Sequence, residues 1–173
     1  MLATVLHGPG DIRFEDVAEP KTLKPTDAII KLAATCICGS DLWPYRGLQA
    51  QSEPQHMGHE YCGTVVEVGS DVKTIRRGQF VVGSFATSDN TCPHCKHGFQ
   101  SSCEQREFMT GAQASFARVP LADGTLVALD ATPDEDLLPS LFAASDVLGT
   151  GWHAATLRGC NLTQLLRWSV TAP

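Results

Sequence analysis

Cys38 and His59 are the first residues whose types and spacing could support chemistry. They lie in the stretch Cys36–Glu60, which contains a tight turn from Cys38 to Asp41 and ends with His59 and Glu60. A thiolate and a neutral imidazole both suit zinc, and a catalytic zinc keeps three protein ligands and one open position. An isolated pair of this kind is usually a buried cysteine and a hydrogen-bonded loop histidine. The neighbouring carboxylates of Asp41 and Glu60, which could orient metal ligands, favour a metal site.

A second cluster of metal-ligating residue types begins near Asp89. Its three cysteines follow one another at a spacing typical of zinc sites: Cys92, Cys95 and Cys103. Four protein ligands close a tetrahedral site and make it structural rather than catalytic. The fourth place is open to Asp89, with His94 and His97 as competitors that are otherwise ordinary loop residues. An acidic chain is unsuited to nucleic acid, so a zinc ribbon that reads nucleic acid is disfavoured.

The composition favours a folded acidic protein and says little about small-molecule partners. The chain has 173 residues, 43% of them apolar, with a net charge of −6 and a pI near 5.4. These values predict one substantial domain, or one domain plus a fragment of another, and argue against nucleic acid as a partner. The first residues do not resemble a signal peptide, and no apolar run is long enough to span a membrane. We therefore expect a cytoplasmic location, no membrane contact, and seven reduced cysteines available for metal binding.

Short strands separated by turns are predicted to position both clusters. Their expected ranges are 3–7, 12–18, 27–35, 63–69, 78–85, 113–119 and 125–129. A short helix is predicted over 40–46 and a longer one over 134–148. The cysteine-rich lobe, residues 88–106, has little regular periodicity. The pattern indicates a mainly β domain with two or three short helices.

The motif GHEYCGTVVEVGSDV, together with the upstream CGSD, resembles the zinc-dependent alcohol dehydrogenases of the medium-chain dehydrogenase/reductase family. The resemblance covers roughly residues 1–155. Members begin with a GroES-like β domain that holds the catalytic zinc, followed by a Rossmann domain that binds NAD or NADP. The resemblance implies a mainly β (α+β) fold over residues 1–150: a GroES-like irregular partial β-barrel with short helices and a zinc-binding lobe.

The resemblance also implies roles for the residues of the first cluster. Cys38 and His59 correspond to two ligands of the catalytic zinc. Ser40 corresponds to the serine that hydrogen-bonds the alcohol and passes on its proton. Asp41 would orient His59, and Glu60 would lie close to the metal.

The third ligand varies among members, and this chain resembles the branch that uses an acid. Asp146 precedes a Thr-Gly-x-His segment and is assigned as the third ligand; Cys160 is a poor competitor because it lies beyond the matching region. An aspartate near the end of an apolar helix also needs a partner such as a metal. Thr150 and Gly151 are expected near the nicotinamide ring.

Two further positions can be compared with the family. Its structural zinc pattern, C-x2-C-x2-C-x7-C, places Asp89 at the first position and the three lobe cysteines at the others. The family often has a histidine five residues after the ligand cysteine to relay protons, and here that position is Trp43. Relay beyond Ser40 would need water or the cofactor ribose, and Trp43 either narrows the substrate pocket or packs in the core.

The residues after the matching region do not continue as the family would. Residues 151–173 are expected to be a truncated or frameshifted entry into a missing Rossmann domain. One DNA string that encodes 163–173 reads, two bases on, as Thr-Val-Ala-Ala-Val-Val-Gly-Asp-Gly-Ala, which resembles the start of a Rossmann turn. The loss would leave apolar residues uncovered, among them Leu137, Leu141 and Phe142.

The sequence therefore predicts the catalytic-domain part of a zinc-dependent NAD(P) alcohol dehydrogenase, with two zincs per chain and little activity alone. The expected partner is a small alcohol or aldehyde, and the intact family would form homo-oligomers. A non-catalytic zinc-binding module or degraded gene product is the alternative, and a partner chain that supplies the cofactor domain is a third possibility.

Overall fold

The computed structural model describes residues 1–159. Cys160 and the frameshift hypothesis for residues 163–173 lie outside the described residues, as does most of the proposed Rossmann entry. The described strands are β1 (Leu2–Gly8), β2 (Asp11–Asp16), β3 (Ala28–Thr35), β4 (Gln55–His56), β5 (Tyr61–Val68), β6 (Phe80–Gly83), β7 (Phe116–Val119) and β8 (Leu126–Ala128). The described α-helices are α1 (Leu42–Tyr45), α2 (Pro93–Lys96), α3 (Ala122–Thr125), α4 (Leu138–Ala143) and α5 (Val147–Leu157).

Two open sheets form the domain. One has the order β2-β1-β4, and the other has the order β7-β3-β5-β6-β8. Every strand pair within residues 1–159 is antiparallel, and neither sheet closes into a barrel. The predicted mainly β fold with short helices is confirmed.

The five-stranded sheet carries an apolar cluster on each face. Tyr61 and Val65 of β5 belong to the larger cluster, whereas Cys62 belongs to the smaller one, as the alternation of side chains along a strand requires. Leu141 and Phe142 of α4 pack against that smaller cluster. Helix α4 thereby covers the face of the sheet next to the Cys36–Glu60 stretch.

The prediction of a single helix over 134–148 is wrong. The structure has a 3-10 turn at Glu135–Leu137, then α4, then a break at 144–146, then α5. Asp146 adopts φ −144° and ψ −68°, outside the helical region, so it lies between two helices instead of near the end of one. The number of helices was also underestimated, because the turns in the lobe and after β7 are helical and too short to show a period.

A buried ion pair anchors the start of β3. Asp27 is fully buried, and Arg118 of β7 donates to its two carboxylate oxygens at 2.6 and 3.1 Å. The amides of Leu23 and Lys24 each donate to the same carboxylate at 2.8 Å. Glu107, just after the lobe, extends the network: its carboxylate lies 3.4 Å from the Arg118 guanidinium and also pairs with Lys24. The carboxylate therefore joins a loop and two strands.

Exposed apolar side chains concentrate on α5. Val147, Leu148, Trp152 and Leu157 are each more than half exposed, at 51–74%. Leu137 is 48% exposed, and Leu141 and Phe142 are only partly buried, in agreement with the expectation of partial exposure for all three. In the described part of the chain, no helix has the length and apolar character needed to cross a membrane.

Gly63 is a position where only glycine fits, which gives a first prediction. It lies opposite Leu32, beside an irregularity in the β3–β5 register, and a Cβ there would overlap the carbonyl oxygen of Lys31. We expect Gly63→Ala to lower the free energy of unfolding by about 2–3 kcal/mol, because a backbone atom cannot move aside. Urea denaturation of the purified chain measures it. Gly8→Ala is the control, since a Cβ at Gly8 meets no atom within 4 Å; an equal loss in both variants would contradict the explanation.

Candidate metal centres

The turn after β3 presents Cys38 next to a carboxylate. A 3-10 turn at Gly39–Asp41 begins after Cys38, and Asp41 Oδ2 accepts a hydrogen bond from the Cys38 amide at 2.8 Å. The Asp41 amide in turn donates to the Cys38 carbonyl at 3.1 Å. These two bonds fix the turn and hold the Asp41 carboxylate next to the backbone of Cys38.

His59 joins this turn to the break between α4 and α5. Its Nδ1 lies 3.4 Å from Asp41 Oδ1, and its Nε2 lies 3.6 Å from Asp146 Oδ2. Hydrogen bonding to Asp41 is the main cause that raises the pKa of His59 to about 9, and burial opposes it. A ring whose Nδ1 faces a carboxylate and whose Nε2 faces other ligand types has the arrangement of a metal-binding histidine.

The four candidate ligands of the first cluster lie close together. One ligand atom from each of Cys38, His59, Glu60 and Asp146 lies within 4.8 Å of the others. Glu60 is 2% exposed, and the side chains of His59 and Asp146 are each 15% exposed. A soft sulfur, an imidazole nitrogen and carboxylate oxygens in a partly buried pocket fit zinc.

The remaining predicted residues of this region lie around the cluster. Ser40 lies in the 3-10 turn with an exposed side chain. Thr150 and Gly151 lie in α5, and the Thr150 hydroxyl donates to Asp146 Oδ1 at 3.1 Å. The Asp146 carboxylate therefore has one oxygen held by its own helix while the other faces His59. Trp43 is 58% exposed on α1, so the alternative that it packs in the core is wrong.

The other two cysteines near the first cluster stay outside it. Cys62 is fully buried on the sheet, as expected for a small apolar residue. Cys36 is only half-buried. Its burial and the neighbouring Glu60 carboxylate raise the pKa of the Cys36 thiol to about 12, which keeps it protonated.

The lobe brings together the residues of the second cluster. Ligand atoms of Asp89, Cys92, Cys95 and Cys103 lie within 4.8 Å of one another, and the three cysteines are at most 8% exposed. Asp89 accepts hydrogen bonds from the amides of Thr91 and Cys92 at 2.8 and 3.0 Å; although burial opposes them, these bonds lower the pKa of Asp89. Three thiols and a carboxylate that remains ionised form a donor set for a closed zinc site.

His94 and His97 do not join this cluster within the described residues. Both are exposed, and His97 Nδ1 lies 2.7 Å from the carbonyl oxygen of Pro93. The geometry therefore favours Asp89 over either histidine for the fourth place.

Two residues beside the first cluster could not be recognised from the sequence as part of its surroundings. The Phe85 ring lies 5.5 Å from the His59 ring and stacks at 5.5 Å on Phe108, so aromatic rings form one wall of the site. Ser145 is a buried polar residue directly before Asp146. In the sequence, the place of Phe85 at the end of a predicted strand did not indicate a contact with His59. Nothing in the sequence around Ser145 indicated that its side chain is buried.

Comparison with known proteins identifies the family of this chain. The family described as "Alcohol dehydrogenase GroES-like domain" matches residues 24–130. Zinc-type alcohol dehydrogenase B of Aspergillus flavus is 39% identical over 161 residues, which cover 90% of this chain and 37% of that protein. A medium chain reductase/dehydrogenase of an Acremonium species is 37% identical, with coverage of 90% and 54%.

The fold agrees as well. The structure of an alcohol dehydrogenase from a Thermus species superposes with a TM-score of 0.82 at 28% identity, over 91% of this chain and 47% of that one. The chain spans between 37% and 54% of the length of these three proteins. Sequence, fold and ligand types agree, and the chain belongs to the zinc-type alcohol dehydrogenases of the medium-chain dehydrogenase/reductase family, whose GroES-like domain it carries.

Proposed function

We propose that this domain supplies the catalytic metal centre of an NAD(P)-dependent alcohol dehydrogenase, which oxidises a small alcohol to an aldehyde or ketone. The observation that carries the proposal is the convergence of Cys38, His59, Glu60 and Asp146 within 4.8 Å. Cys38, His59 and Asp146 serve as the three ligands. Glu60, buried beside them, stays close to the metal as a further carboxylate.

Zinc held there supplies Lewis-acid chemistry that lowers the pKa of an alcohol. The chain's own residues then have separate tasks. Asp41 orients His59 through Nδ1, so that Nε2 points toward Asp146. Ser40, exposed in the adjacent turn, hydrogen-bonds the alcohol hydroxyl, accepts its proton and passes its own hydroxyl proton on to water or the cofactor ribose. The rings of Phe85 and Phe108 line the apolar side of the substrate position.

The hydride acceptor is NAD or NADP, and Thr150 and Gly151 are proposed to lie beside its nicotinamide. Thr150 is suited to this place because it already contacts Asp146. A dinucleotide fold requires a parallel βαβ unit, and the strand pairs within residues 1–159 are all antiparallel. For the 173-residue chain alone we therefore propose little or no dehydrogenase activity, measured as alcohol-dependent NAD(P)H absorbance.

The lobe is proposed to hold a second, structural zinc through Asp89, Cys92, Cys95 and Cys103. Thiolate ligands require reduced cysteines, which favours a cytoplasmic location. Homo-oligomers are proposed for the complete enzyme.

Metal analysis of the purified chain tests these assignments. We expect about two zincs per wild-type chain and about one in Asp146→Asn, because that substitution removes a charged ligand from an open site. Asp136→Asn is the matched control, since Asp136 is an exposed acid in the 3-10 turn before α4. Two tightly held zincs in Asp146→Asn would contradict the role of Asp146, and a wild-type chain with zinc only in the lobe would contradict the catalytic centre.

A further inference from the structure

Ser145 is a buried hydroxyl that the proposed chemistry does not use. It is 4% exposed, and its Oγ makes two hydrogen bonds to the backbone of the five-stranded sheet. It donates to the carbonyl oxygen of Gly83 at 2.5 Å and accepts from the Tyr61 amide at 3.1 Å. The buried hydroxyl therefore both donates one hydrogen bond and accepts one.

The position of these partners along the chain is informative. Tyr61 directly follows Glu60 and is two residues from His59, and it pairs with Gly83 in the β5–β6 ladder. Ser145 directly precedes Asp146. One hydroxyl therefore connects the segment that carries Asp146 to the segment that carries His59 and Glu60.

The backbone on both sides of Asp146 is fixed by different contacts. On the downstream side, the Thr150 amide donates to the Asp146 carbonyl at 3.1 Å, and the Thr150 hydroxyl holds the carboxylate. On the upstream side, the Ser145 amide caps α4 by donating to the Phe142 carbonyl at 2.9 Å. The Ser145 side chain then ties the break to the sheet, while Asp146 itself has non-helical angles. Without that tie, nothing described in the break links Asp146 to the strand that follows His59.

We propose that Ser145 is a positioning residue, whose hydroxyl holds the α4–α5 break against β5 and β6 so that the Asp146 carboxylate reaches the metal bound by Cys38 and His59. The inference rests on the proposed function, since it assumes a metal at that cluster. Its effect is on metal affinity: the hydroxyl bonds the sheet backbone instead of the Asp146 carboxylate, and without it the segment that carries Asp146 is less well preorganised.

The test is a competition titration in which a chelator removes zinc from the full chain, so that two zinc-binding sites are distinguished by their affinities. The site that is lost in Cys38→Ser is the class of zinc that belongs to the first cluster. We expect Ser145→Ala to weaken that class by about 10-fold, the lower end of the range for groups that bond a metal ligand directly, because Ser145 acts through the backbone; the lobe zinc should be unchanged. Ser145→Thr, which keeps the hydroxyl, should restore most of the affinity. With Co²⁺ in place of zinc, the visible absorption of the first site should shift in Ser145→Ala and return in Ser145→Thr.

Thr125→Val is the matched control. Thr125 is 5% exposed, and its hydroxyl also donates to one backbone carbonyl, that of Pro120, and accepts from one amide, that of Ser88. This variant should keep the affinity and the cobalt spectrum of the first site. If the alanine variant does not fold, Ser145→Cys, which keeps the volume and weakens both bonds, is tested with the same expectation.

The outcomes separate this inference from the proposed function. Unchanged first-site affinity in Ser145→Ala, or an equal loss in Thr125→Val, overturns the role of Ser145 while the metal centre stands. Loss of no zinc in Cys38→Ser overturns the metal centre, and the role of Ser145 falls with it.

Discussion

Asp27→Asn is expected to lower the free energy of unfolding by about 3 kcal/mol, the largest loss of stability that we expect from a single side chain outside the metal clusters. The carboxylate is fully buried and receives four hydrogen bonds, two from Arg118 and two from backbone amides. The asparagine variant keeps the shape but removes the charge, so the partly buried guanidinium of Arg118 loses its closer counter-ion and keeps only Glu107, at 3.4 Å. Urea denaturation at neutral pH measures the difference.

The matched control is Asp11→Asn. Asp11 also forms a two-pronged pair with an arginine, Arg13, but both side chains are about half exposed. Because exposed ion pairs contribute little, the control should unfold almost as the wild-type chain does. Equal losses in the two variants would show that burial of Asp27 does not decide its contribution.

The same pair predicts a dependence on pH. Burial alone would raise the pKa of Asp27, but the hydrogen bonds from Arg118 and from the amides of Lys24 and Leu23 outweigh it, and the pKa lies below the ordinary value of 3.8. A carboxyl whose pKa is lower in the folded state than in the unfolded state stabilises the fold at any pH above its unfolded-state pKa. This stabilisation is lost as the pH falls through the folded-state pKa. The difference between wild type and Asp27→Asn should therefore be constant above about pH 5 and shrink below about pH 4.

Removal of zinc is expected to unfold the lobe, residues 88–106, while the sheets remain folded. The only apolar cluster described inside the lobe consists of Cys92, Cys95 and Cys103 themselves, and Phe99 is 58% exposed. Structural zinc binds zinc-finger peptides with about 10–16 kcal/mol, so a segment with no other core depends on it. Hydrogen exchange should show lobe amides that exchange as in an unfolded peptide after chelation, with the amides of β3 and β5 still protected.

Two cysteine variants separate metal loss from general damage. Cys103→Ser removes one lobe thiolate and should reproduce the exchange pattern of the chelated chain. Cys36→Ser removes a half-buried thiol outside both clusters and should leave the lobe protected. Protection of the lobe in metal-free protein would show that its turns are stable without an ion.

The strands were predictable because their residues are locally consistent. β3 and β5 are rich in β-branched and aliphatic residues between turn residues, and they appear within about two residues of the expected limits. β4 was missed because it contains two residues, which no periodic pattern can reveal. Its pairing with β1 depends on the partner strand instead of on its own sequence.

The break at Asp146 could not be predicted for a related reason. Pro139 is a local signal for the start of α4, whereas the break at 144–146 coincides with the contacts of Ser145 with Tyr61 and Gly83. These partners lie far away in sequence, so tertiary contacts override local propensity. The motif around Cys38 and His59 predicted which residues converge with Asp146, whereas the hydrogen bonds that bring them together became visible only in the fold.

The two clusters also differ in how far apart their members lie along the chain. The lobe gathers its four residues between Asp89 and Cys103, so one short loop has to close. The first cluster gathers residues from the end of β3, the start of β5 and the α4–α5 break. Because distant contacts form slowly and closure of longer loops costs more entropy, the order of events during folding follows. We therefore expect the lobe to capture its ion early, once its short loop has closed, and the first cluster to be loaded later, after β3 and β5 have paired and α4 has docked.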